Sequence, residues 1–136
     1  MDAARELGDL TEISSQVEAA VLFGEGGEVL GSTLESESAT AALVRGAGEL
    51  LEAGGSFRSE GATVTQLEAS TPDGSVFVVR DGARGIVATT AAQPTVGLVF
   101  YDLKSCLRSA GDADAKPKRR RRAAPKKSAE EEPGAA

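Results

Sequence analysis

Residues 71–90 read TPDGSVFVVRDGARGIVATT and contain two turn signals on either side of an apolar run. Thr71-Pro72-Asp73-Gly74 has Pro and Gly where a type I turn favours them, and Asp81-Gly82 is the preferred two-residue hairpin signal. The run Val76-Phe77-Val78-Val79 is apolar on both faces, which is typical of a strand covered on both sides. With the strand Ala62–Ser70 before it, this stretch predicts a three-stranded antiparallel meander.

The residues before the meander predict a helix, a hairpin and a second helix. Apolar residues at spacings of three and four indicate an amphipathic helix over residues 3–17. Ala19–Phe23 and Glu28–Ser32 have extended character on either side of Gly24–Gly27, whose glycines suit a tight turn. Small and apolar residues at helical spacing then predict a long helix from Leu34 to about Ala53.

Local signals also mark where the later helices begin and end. Ser32 and Glu35 have the S-x-x-E spacing of a capping box, which predicts that the long helix begins there. Gly54-Gly55 supplies a stop for that helix. Pro94 can open a final helix, in which apolar residues recur at helical spacing until about Ala110.

Length and charge divide the chain into one domain and a tail. A chain of 136 residues accommodates one hydrophobic core. Residues 1–110 contain 7 basic and 16 acidic side chains, a net −9, whereas residues 111–136 contain 8 basic and 5 acidic ones, a net +3. The second segment has too little apolar surface to offset the entropy of ordering. We predict a domain over 1–110 and a disordered tail, basic then acidic, over 111–136.

The composition removes most of the side chains that catalysis and metal binding require. The chain has no His and a single Cys, Cys106, although these residue types supply many acid–base catalysts and metal ligands in soluble enzymes. Gly24–Gly27 has neither the glycine spacing of a dinucleotide loop nor the Gly-Lys-Ser/Thr of a phosphate loop. We predict no catalytic residue, no metal site, no cofactor and no enzymatic activity of the chain itself.

The compartment is predicted from three features. No stretch approaches the roughly 20 apolar residues that a membrane-spanning helix needs. The first residues, MDAARELGDL, lack the basic-then-apolar order of a secretion signal. A single cysteine fits a reducing compartment. We expect a cytoplasmic protein.

The order of the predicted elements resembles the Roadblock/dynein light chain family over about residues 3–110. The resemblance is carried by hydrophobic patterns with glycines, and it includes the residues that open the last helix. These patterns are Val21-Leu22-Phe23 with Gly27-Glu28-Val29-Leu30, Gly74-Ser75-Val76-Phe77-Val78-Val79, Ile86-Val87-Ala88-Thr89, and Pro94-Thr95-Val96-Gly97-Leu98-Val99.

The resemblance implies a fold and a mode of self-association. The fold is α/β in the α+β sense, a profilin-like Roadblock fold of order α-β-β-α-β-β-β-α. A five-stranded antiparallel sheet has the long helix on one face and the two terminal helices on the other. Family members form homodimers in which the strand equivalent to Ala62–Ser70 pairs with its copy and the long helices pack side by side. The implied interface comprises Ala39, Leu43, Gly46, Ala47, Leu50, Val64, Gln66 and Glu68. Ordinary burial within one subunit is the alternative explanation for the small residues of the helix.

The resemblance also implies a function. Bacterial members act on, or scaffold, small Ras-like GTPases, so this chain is expected to bind and regulate such a GTPase by protein–protein contact. Two routes to faster GTP hydrolysis are an arginine finger and realignment of the GTPase's own residues. Arg58 is the most exposed candidate for a finger, but no arginine has a context typical of one, which favours realignment.

The tail supports an alternative function. Its basic run can bind nucleic acid or an anionic membrane and so make the dimer an adaptor, it can fold back onto the acidic domain, or it can be a solubilising extension. The candidate anion-binding residues are Lys116, Lys118, Arg119, Arg120, Arg121, Arg122, Lys126 and Lys127.

Overall fold

The computed structural model describes residues 3–56 and 64–123, with residues 112–123 as helical backbone only. Within these residues, three helices and five strands follow the predicted order, and a short 3₁₀ turn, Glu25–Gly27, joins the first two strands. The elements are α1 (Ala3–Ile13), β1 (Val17–Phe23), β2 (Val29–Ser32), α2 (Glu37–Gly55), β3 (Gln66–Thr71), β4 (Gly74–Asp81), β5 (Arg84–Ala91) and α3 (Val96–Ala123).

The five strands form one antiparallel sheet in the order β2-β1-β5-β4-β3. The predicted hairpin is present, because β1 pairs with β2, and so is the predicted meander, because β4 pairs with both β3 and β5. The pairing of β1 with β5 is the long-range contact that closes the sheet, and it sets Val21 opposite Val87. The predicted five-stranded antiparallel fold is therefore confirmed, with β2 and β3 at its edges.

Helices cover both faces of the sheet, so the domain has two apolar clusters. One cluster lies between the sheet and the two terminal helices and includes Phe77, Ile86 and Leu103. The other lies beneath α2 and includes Val78 and Val87. Because neighbouring residues of a strand point to opposite faces, Phe77 and Val78 supply one cluster each. The prediction that β4 is covered on both sides is confirmed.

One glycine shows how closely the strands pack. Gly85 of β5 lies opposite Phe23 of β1, and a Cβ atom placed on Gly85 would lie 2.4 Å from Cζ of the Phe23 ring. A side chain at position 85 would displace this buried ring. In the turn that precedes β5, Gly82 has a φ of 65°, a conformation that glycine adopts without the steric cost paid by other residues.

The predicted capping box is wrong, because Ser32 is the last residue of β2, paired with Val21 of β1. Ser36 is the N-cap of α2 instead, and its Oγ accepts a hydrogen bond of 3.1 Å from the backbone N–H of Ala39. The Oγ of Ser32 accepts from the N–H of Leu34 at 3.0 Å. The serine therefore stabilises the turn between β2 and α2 rather than the helix start.

Three other boundaries differ from the sequence prediction. The predicted helix over residues 3–17 ends earlier, at Ile13. Val17 continues the apolar spacing of that helix but belongs to β1. β3 begins at Gln66, and residues 62 and 63 of the predicted strand lie outside the described residues. α3 continues past Gly111, where the sequence predicted a disordered tail, to Ala123. Ala, Lys and Arg, which dominate this extension, are good helix formers. The predicted disorder over 124–136 lies outside the described residues.

No helix in the described part of the chain is long and apolar enough to span a membrane.

Candidate interaction surface

β3 lies at one edge of the sheet. Among the described residues, β4 is the only strand that pairs with it. In an antiparallel strand about half of the backbone N–H and C=O groups point away from a given neighbour. The outer side of β3 therefore presents backbone groups to which another strand can bind, over six residues or about 20 Å.

The two flanks of α2 differ in chemistry. Its inner face packs on the sheet through Thr40, Val44, Ala47 and Leu51, which are buried. One flank has Ala39, Leu43, Gly46 and Leu50 at helical spacing, and these residues are exposed or partly exposed. The opposite flank has Arg45, Glu49 and Glu52, all of them exposed. The uncharged flank is thus the one suited to apolar contact.

Gly46 lies in the middle of the uncharged flank. A Cβ atom on Gly46 would meet nothing within 4 Å, so packing within the described chain does not require a glycine at this position. Glycine in a helix interior costs about 0.5–1 kcal/mol relative to alanine. Because Gly46 has no side chain, the backbone of a second element can approach the helix closely at this position.

The uncharged flank and the edge strand share one apolar cluster. Leu43, Leu50, Val64, Leu67 and Val76 are partly buried and all pack against the cluster beneath α2. The end of α2 meets the residues before β3, because a Cβ atom on Gly54 would lie 3.1 Å from Cγ2 of Val64. We call this surface, together with Ala39 and Gly46, the α2–β3 surface.

The structure brings together five of the eight residues that the resemblance assigned to an interface. They are Ala39, Leu43, Gly46, Leu50 and Val64, which all belong to the α2–β3 surface. Ala47 is only 1% exposed and is part of the cluster beneath α2. In the single chain it occupies the inner face of the helix, where the sheet covers it, and its assignment to the interface stays a prediction.

Gln66 and Glu68 lie on the opposite face of β3 from Leu67. They are registered with Val79 and Phe77 of β4, whose side chains belong to the cluster under the terminal helices. The side chain of Glu68 accepts a hydrogen bond from Ser70 Oγ on the same strand. These two residues can therefore flank a paired edge strand but cannot contact α2.

Sequence reasoning missed Leu67 and Val76. The register of β3 and β4 places both residues on the same face of the sheet as Val78. This shared face is the signal that identifies them. That register depends on where β3 begins, and the predicted start at Ala62 did not specify it.

The arginines and the basic run are spread over several elements. Arg45 is exposed on the charged flank of α2, and Arg80 donates from Nη2 to the carbonyl oxygen of Val64 at 3.1 Å. Arg58 lies outside the described residues. The basic residues from Lys116 to Arg122 lie on the α3 extension, whose side chains are not described, and Lys126 and Lys127 lie outside the described residues.

Cys106 has the environment of a structural thiol. It is 6% exposed, and its Sγ donates to the carbonyl oxygen of Glu6 at 3.6 Å. Burial, followed by the negative charges of Glu6 and Asp9, raises the pKa of the thiol to about 12. The thiol is therefore protonated at neutral pH, although the thiolate is the reactive form. No group of three or more His, Cys, Asp or Glu side chains that could hold a metal ion occurs within residues 3–56 and 64–111.

Comparison with known proteins places the fold. No protein-family model and no curated protein matches the chain. A Roadblock/LC7 domain from Streptomyces avermitilis superimposes with a TM-score of 0.71 at 16% identity, covering 80% of this chain and 94% of that domain. Myxococcus xanthus MglB gives 0.58 at 14% identity, with 78% and 79% covered. Acanthamoeba castellanii profilin II gives 0.53 at 11% identity, with 79% and 95% covered. The chain has the Roadblock/LC7 fold, as the resemblance predicted.

Proposed function

We propose that this chain, with its Roadblock/LC7 fold, is a cytoplasmic homodimeric module that binds and regulates, or scaffolds, a small Ras-like GTPase by protein–protein contact. The continuity of the open edge of β3 with the uncharged flank of α2 is the observation that supports the dimer most strongly. The GTPase as partner follows from the family resemblance, and the fold match supports it.

The proposed dimer has a two-fold axis beside β3. Two antiparallel β3 strands extend the sheet across the axis, and the two α2 helices pack through their uncharged flanks. A two-fold interface uses the same patch on both subunits, so Gly46 of each copy faces the helix of the other. This arrangement covers Leu43, Leu50 and Leu67, which are partly exposed in the single chain.

In the proposal, the dimer regulates its GTPase by realigning the GTPase's own residues. An arginine finger requires a guanidinium that is free to enter the nucleotide site of the partner. Arg80 is instead bonded to the carbonyl oxygen of Val64, and Arg45 lies on a helix whose other flank is assigned to the dimer. Realignment of the GTPase's own residues by surface contact does not require a free arginine on this chain.

Solution mass tests the dimer. We expect light scattering coupled to size-exclusion chromatography to give twice 13.9 kDa at micromolar concentration. A mass of 13.9 kDa throughout the accessible concentration range would exclude the homodimer.

Binding and hydrolysis assays test the GTPase. Candidate bacterial Ras-like GTPases are loaded with GDP or with a non-hydrolysable GTP analogue, and each is titrated with the full chain. We expect tighter binding to one nucleotide state. If the module is an activator, GTP hydrolysis accelerates as well, whereas a scaffold binds without changing the rate. No binding to any GTPase in either state would contradict this part of the proposal while leaving the dimer intact.

A further inference from the structure

The terminal helices enclose a groove on the sheet face opposite α2. Ala3 and Ala110 line one small cavity, Glu6 meets Cys106 through a hydrogen bond, and Gln16 Oε1 accepts from the N–H of Thr95. α1 and α3 are therefore antiparallel. The groove between them has a volume of about 360 Å³ and is lined by residues that include Glu6, Asp9, Ile13, Tyr101, Asp102 and Ser109.

One end of the groove exposes two large side chains. Ile13 is 73% exposed and Tyr101 is 67% exposed. An exposed tyrosine ring can bind an arginine or lysine cation on its face. The methylene stems of these side chains also pack well on apolar groups such as Ile13. This end of the groove suits a long cationic side chain.

The groove is negatively charged. Glu6, Asp9 and Asp102 line it, and among the described residues no lysine or arginine does. The charges of Glu6 and Asp9 also help to raise the pKa of Cys106, which is consistent with a negative field inside the groove. An occupant should therefore supply several positive charges with apolar stems.

The chain itself carries a segment of this chemistry. Residues 116–122 read KPKRRRR, so six of seven residues are basic. The segment belongs to a tail of net charge +3, whereas the domain has a net charge of −9. Arginine is well suited to this groove, because its planar guanidinium can bond a carboxylate with two parallel hydrogen bonds and can stack on an aromatic ring.

The course of α3 directs this segment away from the groove of its own chain. The helix is continuous from Val96 to Ala123, and it passes the start of α1 at Ala110. At about 1.5 Å per residue, Arg119 lies about 13 Å further along the helix axis, in the direction opposite to Ile13 and Tyr101. The segment can therefore reach an equivalent groove only on another molecule.

We propose that the α1–α3 groove binds the basic segment Lys116–Arg122 of a second copy of this chain. This contact is separate from the α2–β3 surface, which lies on the other face of the sheet. It assigns to the basic run a role in self-association, and it does not depend on a GTPase partner.

Cross-linking between isotopically distinct copies tests the proposal directly. Full chains labelled with ¹⁵N and unlabelled full chains are mixed and treated with a carbodiimide, which joins a lysine amine to a nearby carboxylate without a spacer. We expect peptides in which Lys116 or Lys118 of one isotope is joined to Glu6 or Asp9 of the other. Links found only within one isotope, or spread evenly over the exposed carboxylates of the domain, would overturn the proposal.

A binding measurement supplies a matched control. A fluorescent peptide of residues 112–128 is titrated into the full chain with Arg119, Arg120, Arg121 and Arg122 replaced by Gln, which leaves the groove open. Glu6→Gln with Asp9→Asn is expected to weaken peptide binding about five-fold, because it removes two solvent-accessible ion pairs, each of which contributes modestly. Glu25→Gln with Glu28→Gln removes the same charge at the exposed β1–β2 turn and should change binding less than two-fold.

Three outcomes of the titration would overturn the proposal. If both double substitutions weaken peptide binding equally, the peptide is attracted by the overall charge of the domain. If Tyr101→Ala leaves the affinity unchanged, the peptide does not bind in the groove. If the peptide does not bind at all, the basic segment has no site on the domain. Circular dichroism of each variant confirms that the fold is retained.

Discussion

At the scale of single residues, close approach between side chains and backbone limits what the fold tolerates. Gly85→Ala introduces a methyl group against the ring of Phe23, 2.4 Å away at Cζ. Because that ring is 6% exposed and packed in the cluster beneath α2, we expect a loss of about 1–3 kcal/mol in the free energy of unfolding. Urea denaturation measures the change.

The control for Gly85→Ala is the same substitution at Gly48, an exposed position of α2. A Cβ atom there meets nothing within 4 Å, so Gly48→Ala should stabilise the chain by about 0.5–1 kcal/mol through its helix propensity. Equal effects of the two substitutions would contradict the packing of Phe23 on Gly85.

The thiol of Cys106 gives the stability a pH dependence above neutrality. Burial raises its pKa from 9.0 to about 12 in the folded chain, so the unfolded chain loses this proton first as the pH rises. The stabilisation that results is complete below pH 9 and is lost progressively toward pH 12. Under reducing conditions, the free energy of unfolding of the wild type should fall more steeply above pH 9 than that of Cys106→Ala. Parallel pH profiles would contradict a raised pKa.

At the scale of elements, the start of α2 distinguishes two capping schemes. Ser36→Ala removes the hydroxyl that accepts from the N–H of Ala39 and should cost about 1 kcal/mol. Glu35→Ala removes the carboxylate of the predicted capping box, but this residue is exposed and precedes the N-cap, so it should change stability by less than about 0.5 kcal/mol. Thermal and urea unfolding measure the two changes in stability. A larger loss of stability for Glu35→Ala than for Ser36→Ala would support the predicted capping box and contradict Ser36 as the N-cap.

The elements also show where sequence reasoning succeeds and fails. The turns at Gly26 and Gly82 were predictable because their glycines carry positive φ angles, which is a local property. The end of β2 and the start of α2 were not, because Ser32 satisfies the capping pattern and yet pairs with Val21 of another strand. The pairing of β1 with β5 joins residues far apart in the chain. The family resemblance implied one five-stranded sheet, but no sequence pattern specified that these two strands are neighbours.

The α2–β3 surface was predictable only in part, because a local sequence pattern does not specify how a helix or strand packs on its neighbours. The family resemblance assigned Leu43 and Leu50 to the interface, and their helical spacing is compatible with one flank of α2. Ala47 has the same small, apolar character, but the packed sheet decides which face of the helix is buried. Leu67 required the exact register of β3 on β4, which a hydrophobic pattern with an uncertain start does not specify.

At the scale of the whole molecule, the two faces of the sheet have different proposed roles. The α2 face carries the partly exposed apolar residues that suit a two-fold dimer, and the opposite face carries the acidic groove between α1 and α3. If both contacts form, the dimer interface should resist salt because it is apolar, whereas the groove contact should weaken as salt screens its charges.

The dimer itself can be tested with one substitution placed on either flank of α2. Gly46→Gln puts a long side chain on the uncharged flank, where a single chain has room for it but where the proposed partner helix lies. We expect the monomer to keep its helix content and stability while the mass falls from that of a dimer toward 13.9 kDa. Gly48→Gln makes the identical change on the charged flank of the same helix, also in open space, and should remain dimeric. Light scattering at matched concentrations, in salt high enough to screen the groove contact, compares the two variants. If Gly46→Gln remains dimeric as well, α2 does not form the interface. If both variants dissociate, the interface is not confined to the uncharged flank of α2, and the proposed α2–β3 surface is contradicted.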